Sequence, residues 1–126
     1  MNFMKKMIVS TLVAFAMLAS SAAFAGKDDA KVAQALNDTI AKLQEAITLV
    51  ESKGDAEAIK QALTDAKQIQ KEYRYEQTER KRQYAAEHIK NATNANKAGD
   101  SATTLTELKA ALAGFQEMKP IYEAAH

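Results

Sequence analysis

Tyr73-Arg74-Tyr75-Glu76-Gln77-Thr78-Glu79-Arg80-Lys81-Arg82-Gln83-Tyr84 lies past the middle of the chain and decides how its two halves meet. From Gln70 to Lys90 there is no glycine, proline or asparagine, and Glu76/Arg80, Glu79/Arg82 and Glu87/Lys90 stand at spacings that support a helix. A helix running unbroken from Asp55 to Lys97 would form a rod of about 64 Å at ~1.5 Å per residue. Such a rod leaves faces that only a second copy could bury, which makes a dimer the alternative architecture. Yet Glu76 to Gln83 holds no apolar residue, so no core-facing stripe crosses the junction. A turn near Tyr75–Glu79 is therefore expected, with the chain doubling back on itself as a compact monomer.

On either side of this junction the apolar residues recur at helical spacing. Val32, Leu36, Ile40, Leu43, Ile47 and Val50 alternate steps of four and three, which keeps them on one helix face. Ile59, Ala62/Leu63, Ala66, Ile69 and Tyr73 form a second stripe. Tyr84/Ala85, His88/Ile89, Ala92 and Ala95 form a third, and Leu105, Leu108, Leu112, Phe115 and Tyr122 a fourth. Between stripes one and two stands Gly54-Asp55, and between three and four Gly99-Asp100-Ser101. Each pairs a glycine suited to the left-handed position after a helix with an Asp or Ser suited to cap the next one. No strand-like alternation is present. The prediction is an all-α protein, an antiparallel four-helix bundle made of two helical hairpins, with alanine-rich faces that allow close helix approach. Pro120 falls inside the fourth stripe and is expected to end or kink that helix near Lys119.

Met1 to Ala25 reads differently. Lys5-Lys6 precede a short apolar run from Met7 to Ala19, and Ala23-Phe24-Ala25 is a small-x-small cleavage signature, together the pattern of a cleaved secretory signal peptide. Periplasmic export is thus expected, leaving residues 26–126 as one domain that makes no stable membrane insertion. Loss of Lys5 and Lys6 moves the formal net charge from +1 to −1, and four of the five methionines go with the leader.

Composition narrows the chemistry. The chain has no cysteine, so a disulfide, a thiolate metal site, a cysteine nucleophile and a c-type haem attachment all fall away. Near-neutral charge argues against a nucleic-acid partner, and Glu72, Glu76, Glu79 and Glu87 largely cancel the basic residues interleaved with tyrosines at the junction. No nucleophile–base pair or glycine-rich phosphate loop is visible, so the chain is not expected to be an enzyme. His88, with Glu87 before it, stands where a facing helix could supply further oxygen ligands to a zinc, copper or nickel ion. Glu123-Ala-Ala-His126 has the Glu-x-x-His spacing of di-iron bundles, in a single copy where two are needed. Met118, with His88 opposite, would be the pair for a haem.

Ala86-Glu87-His88-Ile89-Lys90-Asn91-Ala92, followed by Lys97-Ala98-Gly99-Asp100, Ala111-Leu112 and Phe115, resembles the second hairpin of the small metal-binding protein (SmbP) family. Glu45-Ala46-Ile47, Lys53-Gly54-Asp55 and Ala66-Lys67 resemble its first hairpin. The resemblance implies a periplasmic four-helix protein that binds or buffers divalent copper, nickel or zinc. It places His88 at a family histidine and Asp55, Asp65, Asp100 and Glu107 roughly at others, while Tyr84, Ala95 and Gly114 replace further ones with non-ligands. Carboxylates in place of imidazoles imply weak metal binding. In size and helix order the chain also resembles periplasmic b-type cytochrome bundles, but the expected first-helix Met and last-helix axial His are missing. Three functions follow in order: weak metal binding, a metal-free module that presents a helix face or the Tyr/Arg junction to a periplasmic protein, and haem carriage.

Overall fold

The structure is a computed structural model that describes residues 27–126. The expected signal peptide, residues 1–25, lies outside the described residues. Four helices follow in order: α1 (Lys27–Glu51), α2 (Ala56–Gln70), α3 (Glu79–Lys97) and α4 (Ser101–Ala125), with one 3₁₀ turn at Glu76–Thr78 before α3. They pack as an antiparallel four-helix bundle: α1 lies against α2 and α4, and α3 lies against the same two.

Each helix turns one stripe inward. Leu36, Leu43 and Val50 of α1 are buried, with Ala35, Thr39 and Ala46 filling the spaces between them. Ile59, Ala62, Leu63 and Ala66 enter from α2, Ala85, Ile89, Ala92 and Ala95 from α3, and Leu108, Ala111, Phe115, Met118 and Tyr122 from α4. Each large apolar side chain among them contributes about 1.5–3 kcal/mol through removal from water. The alanines act differently, letting backbones come close. At Gly114 of α4 an added Cβ would stand 3.1 Å from Ala85 Cβ of α3. Thr39 and Thr104 are buried, and each hydroxyl donates to the carbonyl four residues earlier, Ala35 and Asp100, at 2.7 Å.

The two hairpin turns are built on different registers. After α3, Gly99 is left-handed at φ +76°, its N–H donates to Asn96 O, and the Asp100 N–H donates to Ala95 O. This double closure satisfies carbonyls that the helix end leaves open. The Asp100 carboxylate then accepts from Thr103 N at 3.1 Å and caps α4. After α1 the same closure occurs one residue earlier relative to the glycine: Lys53 N–H donates to Val50 O and Gly54 N–H to Leu49 O, so Lys53 takes the left-handed place at φ +58°. Gly54, expected there, is needed instead for close approach, since a Cβ would meet Leu49 O at 3.0 Å. Asp55 starts α2 with extended backbone and no side-chain cap bond.

At the central junction α2 ends at Gln70, and the chain turns back over the next several residues. The bend begins somewhat before the expected Tyr75–Glu79, and the unbroken rod does not form. The turned chain is held by buried polar residues on its two sides. Gln70 and Arg82 are buried, and Arg82 Nη1 donates to Gln70 Oε1. Arg82 also grips the Glu79 carboxylate through Nε at 3.1 Å and Nη2 at 2.6 Å. That grip holds Glu79 below the usual carboxylate range. Tyr73 is fully buried, and its hydroxyl shares a 2.7 Å hydrogen bond with Thr78. The rings of Tyr73 and Tyr75 meet Tyr122 edge-on at 5.9 and 5.3 Å and close this end of the bundle.

Pro120 does not end α4, which runs on to Ala125. The turns after it are held from outside the helix: Tyr122 is buried among the junction tyrosines and stacks on His126, with ring centroids 4.1 Å apart.

Candidate functional site

The bundle brings together two of the six candidate ligands. His88 leaves α3 toward α4, and its Nδ1 lies 2.7 Å from Glu107 Oε1. Asn91, one turn further along α3, donates from Nδ2 to the same oxygen at 3.3 Å. The antiparallel register of α3 and α4 makes the meeting possible, since the stretch from His88 to Glu107 folds tightly about Gly99. His88 is 41 % exposed at its side chain and Glu107 22 %, so the pair sits on the outer seam between the helices.

The direction of the hydrogen bond follows from the charge of Glu107. Contact with His88 is the main cause that holds the Glu107 carboxyl below its ordinary range, with Asn91 adding to it against a partial desolvation cost. An ionised carboxylate only accepts, so Nδ1 carries the proton in this contact, and a neutral ring in that tautomer has its lone pair on Nε2.

The other four candidates stand apart. Glu87 is exposed on α3. Asp65 of α2 accepts from Gln61 at 3.0 Å and pairs with Lys42 of α1 at 3.5 Å. Asp55 lies at the start of α2, and Asp100 is engaged as the cap of α4. Among the described residues no group of three or more His, Cys, Asp or Glu converges as a metal site would require. The donors present therefore fit one oriented imidazole and a carboxylate, not a complete coordination shell. Met118 is fully buried in the core, and His88 stands on the outer seam. Glu123 pairs with Lys119 at 2.9 Å, and His126 Nδ1 lies 2.8 Å from Tyr122 O.

Beside His88 the seam opens into a groove of about 660 Å³, lined among others by Tyr84, Ala85, His88, Ala110, Ala113 and Gly114. Tyr84, which the periodicity assigns to the core, is 67 % exposed and is the one large hydrophobic residue left in solvent among the described residues. Lys81 and Glu117, paired at 3.6 Å, mark the other end of the groove. Sequence reasoning missed Asn91 as a partner of Glu107. The signal available for it was its position three residues after His88, on the same helix face.

No family model, curated protein or solved structure matches the chain. No helix among the described residues is long and apolar enough to cross a membrane.

Proposed function

We propose that this protein binds a divalent transition-metal ion weakly at His88, as a periplasmic metal-binding or buffering bundle exported by its first 25 residues. The supporting observation is the 2.7 Å contact of His88 Nδ1 with Glu107. Metal-bound imidazoles commonly donate their second nitrogen to a carboxylate, which fixes the tautomer and raises the basicity of the ligating nitrogen. Nε2 of His88 is the ligand in this reading, Glu107 the group that orients it, and copper, nickel or zinc the ions suited to an imidazole. One imidazole gives modest affinity, in keeping with a buffer. The resemblance to the small metal-binding protein family points the same way.

Equilibrium titration with copper, nickel and zinc tests this. Binding tighter than about millimolar, some −4 kcal/mol, is expected. It should disappear in His88→Ala and weaken about 10–100-fold in Glu107→Gln. Absence of binding in the unaltered protein, or full binding in His88→Ala, rejects the proposal. N-terminal sequencing of the protein from the periplasmic fraction tests the export, with Gly26 expected as the first residue.

A metal-free interaction module is the second reading, favoured by exposed Tyr84 beside a groove of small residues. Exposed aromatic residues are enriched at protein interfaces. Under this reading Tyr84→Ala abolishes capture of a periplasmic partner and leaves metal binding unchanged.

A further inference from the structure

Charge is unevenly spread over the bundle. From Ala56 to Lys97, the stretch that makes α2, the junction and α3, nine basic residues stand against six acidic ones. In the rest of residues 27–126 ten acidic residues stand against six basic ones. The basic excess also has a side. In α2 the α1 side is marked by Asp65, which pairs with Lys42, and the α3 side by Ala56 and Gln70, which accept from Asn96 and Arg82. Lys60, Lys67 and Lys71, at steps of seven and four, share the outer flank beyond those α3 contacts. In α3 the α4 side is marked by Lys81 and His88, which meet Glu117 and Glu107. Lys90 and Lys97, seven apart, lie on the opposite flank, toward α2.

The two antiparallel helices thus present five exposed lysines along one outer seam. The row on α2 is about 16 Å long at ~1.5 Å per residue. Lys67, Lys71, Lys90 and Lys97 make no ion pair among the described residues, and Lys60 only a 3.8 Å one with Glu57. Glu79 is already held by Arg82 and Arg74. Glu72, Glu76 and Glu87 are exposed and reduce the local charge without cancelling it.

We propose that the outer face of α2 and α3 docks on an anionic phospholipid surface, its lysines meeting lipid phosphates while the bundle lies on the bilayer without entering it. Clusters of about four to eight basic residues on a helical surface are drawn to anionic headgroups. A lysine ammonium on its flexible stem is a point charge that needs no fixed partner geometry, which suits mobile headgroups. Protein interfaces are instead depleted of lysine and built around aromatic anchors. This face has no such anchor, because the exposed Tyr84 lies on the α4 side with His88. With no large apolar side chain to insert, the attraction is electrostatic. The acidic excess of α1 and α4 turns the other side of the bundle away from the surface and sets the orientation. The docking is independent of any metal at His88.

Co-sedimentation of residues 26–126 with vesicles tests the inference, since these residues contain the whole described core. Phosphatidylcholine vesicles with and without phosphatidylglycerol are compared at low and high salt, beside soluble polyglutamate as a protein-like polyanion. Binding is expected only to the vesicles that contain phosphatidylglycerol, and it should fall steeply with salt because the charges are exposed. The triple variant Lys67→Gln, Lys71→Gln, Lys90→Gln should lower the partition coefficient by about 100-fold, each lost lysine counting for about fivefold. A control with the same net charge, Lys31→Gln, Lys53→Gln, Lys109→Gln, should stay within about fivefold of the unaltered protein. Circular dichroism should show both variants as helical as the unaltered protein. Absence of binding to the anionic vesicles at low salt, equal loss in the two variants, or binding that persists at high salt each overturns the inference. Stronger binding to polyglutamate than to the vesicles at equal anionic charge also overturns it and assigns the face to an acidic protein.

Discussion

His88 of α3 and Glu107 of α4 are hydrogen-bonded at 2.7 Å across the seam between the two helices, and Asn91 holds the same carboxylate oxygen at 3.3 Å. The folded-state pKa of Glu107 is depressed, chiefly by the bond to His88. Its contribution to stability is therefore fully present above the ordinary glutamate range, near about 4.3, and is lost as pH falls through the depressed value. In His88→Ala the carboxyl titration of Glu107, followed by NMR, should move upward. The stability difference between this variant and the unaltered protein should be below about 1 kcal/mol near neutrality, because the pair is partly exposed, and should shrink in acid. A Glu107 titration that does not respond to His88→Ala would contradict the assignment.

Arg82 carries the junction. Replacing it with alanine strips Gln70 and Glu79 of their shared donor, and Gln70 is only 4 % exposed. Urea unfolding of Arg82→Ala should show a loss of about 1–3 kcal/mol, with little recovery in Arg82→Lys, which cannot reproduce the forked geometry. Arg74→Ala, removing a side chain that is 63 % exposed, should stay within about 0.5 kcal/mol.

The two hairpin turns make opposite predictions for glycine. Lys53 holds a left-handed backbone at φ +58°, a conformation a side chain disfavours. Lys53→Gly should stabilise the protein by about 1 kcal/mol. Gly99→Ala, at φ +76° with open space around the added Cβ, should destabilise it by about 1 kcal/mol through backbone strain alone. Thermal melts of the two variants, shifted in opposite directions, are the expected outcome.

Pro120 lies within α4 and cannot donate to the carbonyl of Gln116. Because the ring is on the exposed side, its removal leaves no core cavity. Pro120→Ala should raise stability by about 1–3 kcal/mol, measured by urea unfolding. Unchanged or lower stability would show that the ring limits the unfolded chain by more than it costs the helix.

The architecture was largely legible because its signals are local. Leu36, Leu43 and Val50, or Leu108, Phe115 and Tyr122, declare a buried helix face by spacing alone, and Gly99-Asp100 declares a stop and a start. The errors arose where a local signal was overruled from a distance. Gly54 yields the left-handed position to Lys53 because its own backbone is pressed against Leu49. Tyr84 follows the apolar period yet is exposed, while Arg82, charged and two residues earlier, is buried because Gln70 and Glu79 satisfy it. A stripe counted only in apolar residues stops at this junction; the buried, partnered polar residues on its two sides are what hold it.

By itself the sequence determined the all-α class, the two hairpins and the short inventory of chemical groups, since period, punctuation and composition are properties of the chain read in order. Only the tertiary structure decided which of those groups meet. His88 and Glu107 became a pair, and Asp55, Asp65, Glu87 and Asp100 did not join them, because contact across a seam depends on helix register and rotation, which packing of the whole bundle sets.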